Sequence, residues 1–124
     1  MTEILKKIWV IDDDKSIKWV LQKALEKYNY KVQTFGNTNE AINKFNHDIP
    51  HLIISDIKMP GESGLQFLQK VKHKFPDIPV IIMTAFTDLD SAVDSYSLGA
   101  FEYLPKPLNG LGRYSKAPRE YEST

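Results

Sequence analysis

The chain has 124 residues, 42% hydrophobic and 26% charged, with sixteen Lys+Arg against sixteen Asp+Glu and no cysteine. That length suits one domain with a real core, and the hydrophobic fraction excludes a disordered chain. Zero net charge leaves no electrostatic footprint for nucleic acid or an anionic membrane, and the missing thiols exclude disulfide scaffolds, thiolate zinc sites and thiol catalysis.

Ile8-Trp9-Val10-Ile11 reads as a first buried strand, ended by acids. Residues 15–28 follow a helical period through Ile17, Val20, Leu21, Ala24, Leu25 and Tyr28, with Asp14 as the N-cap. Tyr30 to Phe35 alternates and reads as a second strand. Asn37 with Glu40 opens a second helix carrying Ala41, Ile42 and Phe45. His51 to Ser55 is a third strand that ends at Asp56, and Met59-Pro60-Gly61 breaks the pattern. Ser63 and Gln66 match a capping box for a third helix. Pro79 to Met83 is a fourth strand ending at Thr84. Thr87 and Asp90 open a fourth helix through about Leu98, which Gly99 stops. Ala100 to Leu104 is a short fifth strand, followed by Lys106 and Pro107.

Strands buried on both faces and joined by helices imply an α/β fold with a parallel sheet and right-handed crossovers. No apolar run approaches the ~18 residues of a membrane span, and Met1-Thr2-Glu3 does not begin a secretory signal. A soluble cytoplasmic protein is expected.

In an open parallel sheet the working residues lie outside the carboxyl ends of the strands. Here those ends carry Asp12-Asp13-Asp14, Asp56, Thr84-Ala85 and Lys106. Each has an ordinary explanation alone: cap acids, a turn former, a β-branched filler, a surface lysine. Four strand ends delivering acid, acid, hydroxyl and ammonium to one rim is a different matter. Packed carboxylates repel, and a hard divalent cation such as Mg²⁺ relieves that repulsion. A carboxylate beside the metal can attack a phosphoryl group to form an aspartyl phosphate. A lysine, a threonine hydroxyl and the next residue's backbone N–H can then hold the phosphoryl oxygens. Asp56, Lys106, Thr84 and Ala85 suit those roles.

Val10-Ile11-Asp12-Asp13, Ser55-Asp56-Ile57-Lys58-Met59-Pro60-Gly61, Ile82-Met83-Thr84-Ala85 and Tyr103-Leu104-Pro105-Lys106-Pro107 resemble receiver domains of two-component response regulators. The resemblance covers about residues 4–107. It implies a doubly wound, five-stranded, flavodoxin-like sheet of order 2-1-3-4-5. It also implies Asp56 as phosphoacceptor, Asp12 and Asp13 as Mg²⁺ acids with Asp14 left as the cap, and the Lys58 carbonyl as a further metal ligand. Thr84 resembles the switch hydroxyl, Tyr103 the aromatic switch residue, and Lys106 the lysine that pairs with the phosphoryl group. The Lys106–Pro107 bond is cis in that family.

A narrower resemblance is to the nitrogen-regulation (NtrC) type, carried by Ile8-Trp9-Val10, Ser16 to Leu21, Asp88 to Val93 and Gly99 to Pro107. That type implies a sensor histidine kinase as partner. Its output is an AAA+ sigma-54 activator with DNA-binding parts. This sequence has no Walker A motif and no such parts. Val93 and Leu98 of the fourth helix are expected on an exposed, partner-binding face.

The resemblance fails after Pro107. A receiver carries a fifth helix there, whereas Leu108-Asn109-Gly110-Leu111-Gly112 and Pro118 interrupt one. Residues 1–107 therefore read as the receiver and 108–124 as an irregular tail, with the fifth helix either missing or replaced by non-native sequence. The apolar face left uncovered leaves three outcomes open, a marginal monomer, a tail packed over the gap or a homo-oligomer, of which the last is favoured. Two rival functions are a haloacid-dehalogenase-type phosphatase using Asp12-x-Asp14, which leaves Asp56 unexplained, and an unphosphorylated scaffold, which leaves the Asp, Thr and Lys set unexplained. His47, His51 and His73 lie away from the rim and receive no catalytic role.

Overall fold

The computed structural model describes residues 6–57, 62–84 and 89–105. Their order is β1 (Lys7–Ile11), α1 (Lys15–Glu26), β2 (Lys31–Phe35), α2 (Thr38–Lys44), β3 (Leu52–Asp56), α3 (Gly64–Lys74), β4 (Val80–Thr84), α4 (Leu89–Ser97) and β5 (Glu102–Pro105). All four strand pairings are parallel and give one sheet of order β2-β1-β3-β4-β5. This is the doubly wound, flavodoxin-like arrangement. Strand limits shift by about a residue from the sequence reading; β5 begins at Glu102 because Ala100 and Phe101 complete the turn after α4.

The uninterrupted apolar runs follow from burial on both faces. Ile8 and Val10 point with Ile54 and Met83 to the side covered by Ile17, Leu21 and Leu25 of α1. Trp9, Ile11, Ile53, Val80 and Ile82 point to the other side, against Ala41, Phe67, Leu68 and Val71 of α2 and α3. Trp9 is the largest fully buried side chain. Its ring meets Phe35 edge-on at 5.0 Å and Phe45 at 4.7 Å, and Phe45 stacks on Phe75 at 4.8 Å. Among the described residues the indole N–H of Trp9 has no acceptor, and an unmade bond of this kind costs on the order of 1–3 kcal/mol.

Capping follows the sequence closely. Asp14 accepts from the Ser16 and Ile17 N–H groups at 2.8 and 3.1 Å. Ser63 and Gln66 make the reciprocal capping box of α3. At α2 the Asn37 side chain accepts from Glu40 N–H, but the Glu40 carboxylate reaches one residue further back, to Gly36 N–H. Two helices end in left-handed residues, Asn29 (φ 67°) and Gly99 (φ 103°). After Gly99 the Ala100 N–H returns to the Ser95 carbonyl at 2.9 Å, a Schellman closure.

At the opposite edge, where strands begin, the Lys7 backbone N–H donates to His51 Nδ1 at 2.9 Å, and the Lys7 ammonium pairs with Asp48. The hydrogen bond from the Lys7 ammonium is the main reason the Asp48 carboxyl lies below its ordinary pKa. His51 thus ties two strand starts together.

One expectation needs correcting. Val93 is exposed, but Leu98 is half-buried and packs on the α2–α3 core, because it lies in the closure that returns the chain to β5. The region expected to lack a fifth helix, 108–124, lies outside the described residues, as does the Lys106–Pro107 bond. Among the described residues no helix is long and apolar enough to cross a membrane.

Candidate functional site

The carboxyl ends of β1, β3, β4 and β5 lie side by side because their strands are neighbours in register. Ile11 pairs with Ser55, Asp56 with Met83, and Thr84 with Pro105. Asp12 leaves β1 with its N–H on the Phe35 carbonyl at 3.0 Å, so it still belongs to the sheet edge. Its side-chain Oδ1 accepts from Asp14 N–H at 2.9 Å, which fixes the carboxylate while Asp14 turns away to cap α1. Asp56 closes β3, and the following residue stays bonded to β4 through Ile57 N–H to Met83 C=O at 3.1 Å.

The result is a cluster. Asp12, Asp13 and Asp56 each place a carboxylate oxygen within 4.8 Å of the others; Asp12 and Asp56 are buried and Asp13 is exposed. Three like charges at that range are mutually destabilising unless protonated or bridged by a cation. An all-oxygen donor set with one side open to water matches Mg²⁺, which takes one or two carboxylates and keeps several waters. The donors present therefore fit the expected metal. Asp14 is excluded from the set by its capping role, as the sequence reading required.

The remaining expected site residues are placed less fully. Thr84 ends β4 beside Pro105 at the same rim. Lys58, Ala85 and Lys106 lie outside the described residues. Tyr103 sits on β5, half-buried, with its ring edge-on to Tyr96 of α4 at 5.6 Å. Tyr96 also donates its hydroxyl to the Glu102 carboxylate, which accepts from Tyr103 N–H at 3.1 Å. Helix α4 and strand β5 are thus coupled through two tyrosines and one carboxylate.

That link is pH-sensitive in a defined direction. The bond to Tyr96 is the first cause holding the Glu102 carboxyl below its ordinary value, and Glu102 pushes the Tyr96 hydroxyl up. A carboxyl lowered in the folded state contributes above the unfolded value and loses that contribution as pH falls through the folded value. Tyr96→Phe is expected to move the Glu102 titration upward, partway to normal because Tyr103 N–H remains. Carbon-13 NMR of the side-chain carboxyl checks this; an unmoved titration would show that the link is not made in solution.

Two contributors were not singled out in the sequence. Gly64 lies so close to the end of β3 that an added Cβ would stand 2.1 Å from the Asp56 carbonyl oxygen and 2.8 Å from Ile57 Cα. Its N–H donates to the Ile57 carbonyl at 2.7 Å. Buried Ser55 donates its hydroxyl to the Asp56 carbonyl at 3.0 Å. The sequence signal for Gly64 was a glycine just after the Ser63 cap, where nothing about helix formation calls for one.

Comparison with known proteins agrees with this geometry. The family described as "Response regulator receiver domain" matches residues 8–111, which include Lys58, Ala85 and Lys106. The DNA-binding transcriptional regulator NtrC of Salmonella typhimurium is 49% identical over 102 residues, 82% of this chain and 22% of that protein. The C4-dicarboxylate transport regulatory protein DctD of Rhizobium meliloti is 34% identical over 82% of this chain and 22% of its own length. The chain thus spans about a fifth of the curated relatives it matches. Among solved structures, a response regulator receiver domain protein of Clostridium thermocellum has a TM-score of 0.78 at 32% identity, covering 97% of this chain and 100% of its own. The response regulator TrrA of Thermotoga maritima, solved in complex with Mg(2+)-BeF, has a TM-score of 0.75 at 33% identity, covering 93% and 98%. With the sheet order, the acidic rim and these matches all agreeing, the chain belongs to the receiver domains of two-component response regulators, a regulatory rather than a metabolic family, and is of NtrC-like sequence.

Proposed function

We propose that the chain is a phosphorylation-switched module that takes a phosphoryl group from a histidine kinase onto Asp56 and passes the change to a transcriptional output. The observation that carries this reading is the gathering of the Asp12, Asp13 and Asp56 carboxylates within 4.8 Å at one strand rim. In the transfer an Asp56 carboxylate oxygen attacks phosphorus. The P–N bond to the donor histidine breaks, and its electron pair leaves on the imidazole nitrogen. Asp12, Asp13, Asp56 and the Lys58 carbonyl would hold Mg²⁺, which supplies positive charge against the phosphoryl oxygens. Thr84 hydroxyl, Ala85 N–H and Lys106 ammonium hold the remaining oxygens.

The switch follows from what those groups are attached to. Thr84 and Lys106 drawn toward new negative charge pull on the ends of β4 and β5. Tyr103, wedged edge-on against Tyr96, changes rotamer, and α4 shifts between two packings. The module catalyses its own phosphorylation and dephosphorylation weakly. In this reading residues 1–107 form the receiver, it works in the cytoplasm, and the AAA+ and DNA-binding output lies outside this chain.

The test is to locate the phosphoryl group. After incubation with Mg²⁺ and acetyl phosphate, trapping with hydroxylamine and mass spectrometry are expected to find the modification on Asp56. Finding it on Asp12 would replace this reading with the haloacid-dehalogenase-type phosphatase.

The acidic cluster predicts a variant with two opposite readouts. Asp13 is exposed, so Asp13→Asn removes charge without opening a hole. Without Mg²⁺ the fold is expected to gain about 1 kcal/mol from relieved repulsion. Mg²⁺ affinity is expected to fall at least about tenfold. Urea unfolding in chelator and a Mg²⁺ titration measure the two.

A further inference from the structure

The sheet face away from α1 holds a feature that the phosphoryl chemistry does not use. Between α2 and α3 lies a groove of about 570 Å³, within the ~300–1,000 Å³ of small-molecule sites. Its walls are Ile42, Phe45, Phe67, Val71 and Phe75. Phe45 and Phe75 stack nearly parallel, with an interplanar angle of 13°, so with Phe67 three aromatic rings line the groove. Phe45 is backed by Trp9, so the buried indole lies one ring behind the groove.

The rim is polar and carries one sign of charge. Lys70, His73 and Lys74 line it together with Asn46, and among the described residues no carboxylate does. Lys70 is paired with Glu62. Lys72, on the same helix, is spent on the Pro76 and Ile78 carbonyls and so offsets the negative end of α3. His73 and Lys74 have no ion-pair partner among the described residues and are exposed. The helix ends that form this part of the groove lie where the strands begin, the opposite edge from Asp56.

We propose that this groove is a second binding site, for a small aromatic carboxylate. The aromatic body lies in the groove among Phe45, Phe67 and Phe75, and the carboxylate meets Lys74 and His73. Charge complementarity selects an acid over a neutral or cationic aromatic. This site is independent of the phosphoacceptor reading.

The test is a titration with naphthoate, followed by amide NMR shifts and by the Trp9 indole N–H signal. Saturable shifts confined to residues 42–46 and 67–75, with movement of the Trp9 signal, are expected. Naphthalenemethanol, the neutral analogue, is expected to bind at least about tenfold more weakly. The exposed double variant His73→Gln/Lys74→Ala is expected to lose about tenfold in naphthoate affinity while unfolding at the same urea concentration. Asp56→Asn is expected to bind naphthoate unchanged. Shifts that do not saturate, equal binding of the alcohol, or undiminished binding by the double variant would each overturn the proposal.

Discussion

Asp56→Asn is expected to reduce Mg²⁺-dependent labelling by acetyl phosphate to background, a loss of roughly a hundredfold or more. The side chain is 4% exposed at the last residue of β3, and asparagine occupies the same volume. An amide keeps one acceptor oxygen but is no nucleophile toward phosphorus. The substitution also withdraws one of three carboxylates that sit within 4.8 Å. A urea melt of the same preparation separates lost chemistry from lost fold. Labelling that persisted would move the acceptor elsewhere on the rim, with Asp12 the next carboxylate in line.

The rim was legible because it needs only strand ends and residue types. Asp12, Asp56 and Thr84 each follow an apolar run, and parallel strands deliver their last residues to one edge. The caps were legible for a similar reason. Asp14, Asn37, Ser63 and Gln66 act within their own helix turn, so local sequence contains the whole interaction. Leu98 was misread because its spacing continues the α4 pattern, whereas the left-handed Gly99 redirects the chain and folds that leucine inward. No periodicity encodes such a turn's consequence. The aromatic chain from Trp9 through Phe45 to Phe75 was also invisible, since its members come from β1 and from the residues just after α2 and α3. Gly64 escaped for the strongest version of the same reason. Its importance lies in what it nearly touches, and sequence patterns record side chains rather than the space left by their absence.

Gly64→Ala is the substitution that separates these two kinds of information. Helix propensity alone expects a gain, since alanine is favoured over glycine by about 1 kcal/mol in a helix interior. The packing expects a loss. The new Cβ would stand 2.1 Å from the Asp56 carbonyl oxygen, 2.8 Å from Ile57 Cα and 2.9 Å from the Asp56 carbonyl carbon. All three are backbone atoms of a buried strand end, so no rotamer change relieves the clash. The start of α3 must move away from β3, straining the 2.7 Å bond from Gly64 N–H to the Ile57 carbonyl. A loss of about 1–3 kcal/mol is expected, outweighing the propensity gain. The same displacement moves Asp56 relative to Asp12 and Asp13, so Mg²⁺ affinity and labelling are expected to fall together, by roughly tenfold or more. Asp13→Asn also weakens Mg²⁺ but raises stability, so the sign of the urea shift distinguishes a mispositioned carboxylate from a missing one. A stabilised Gly64→Ala protein that still took up phosphoryl groups normally would show that α3 and β3 separate freely, and that Asp56 is positioned by the sheet alone.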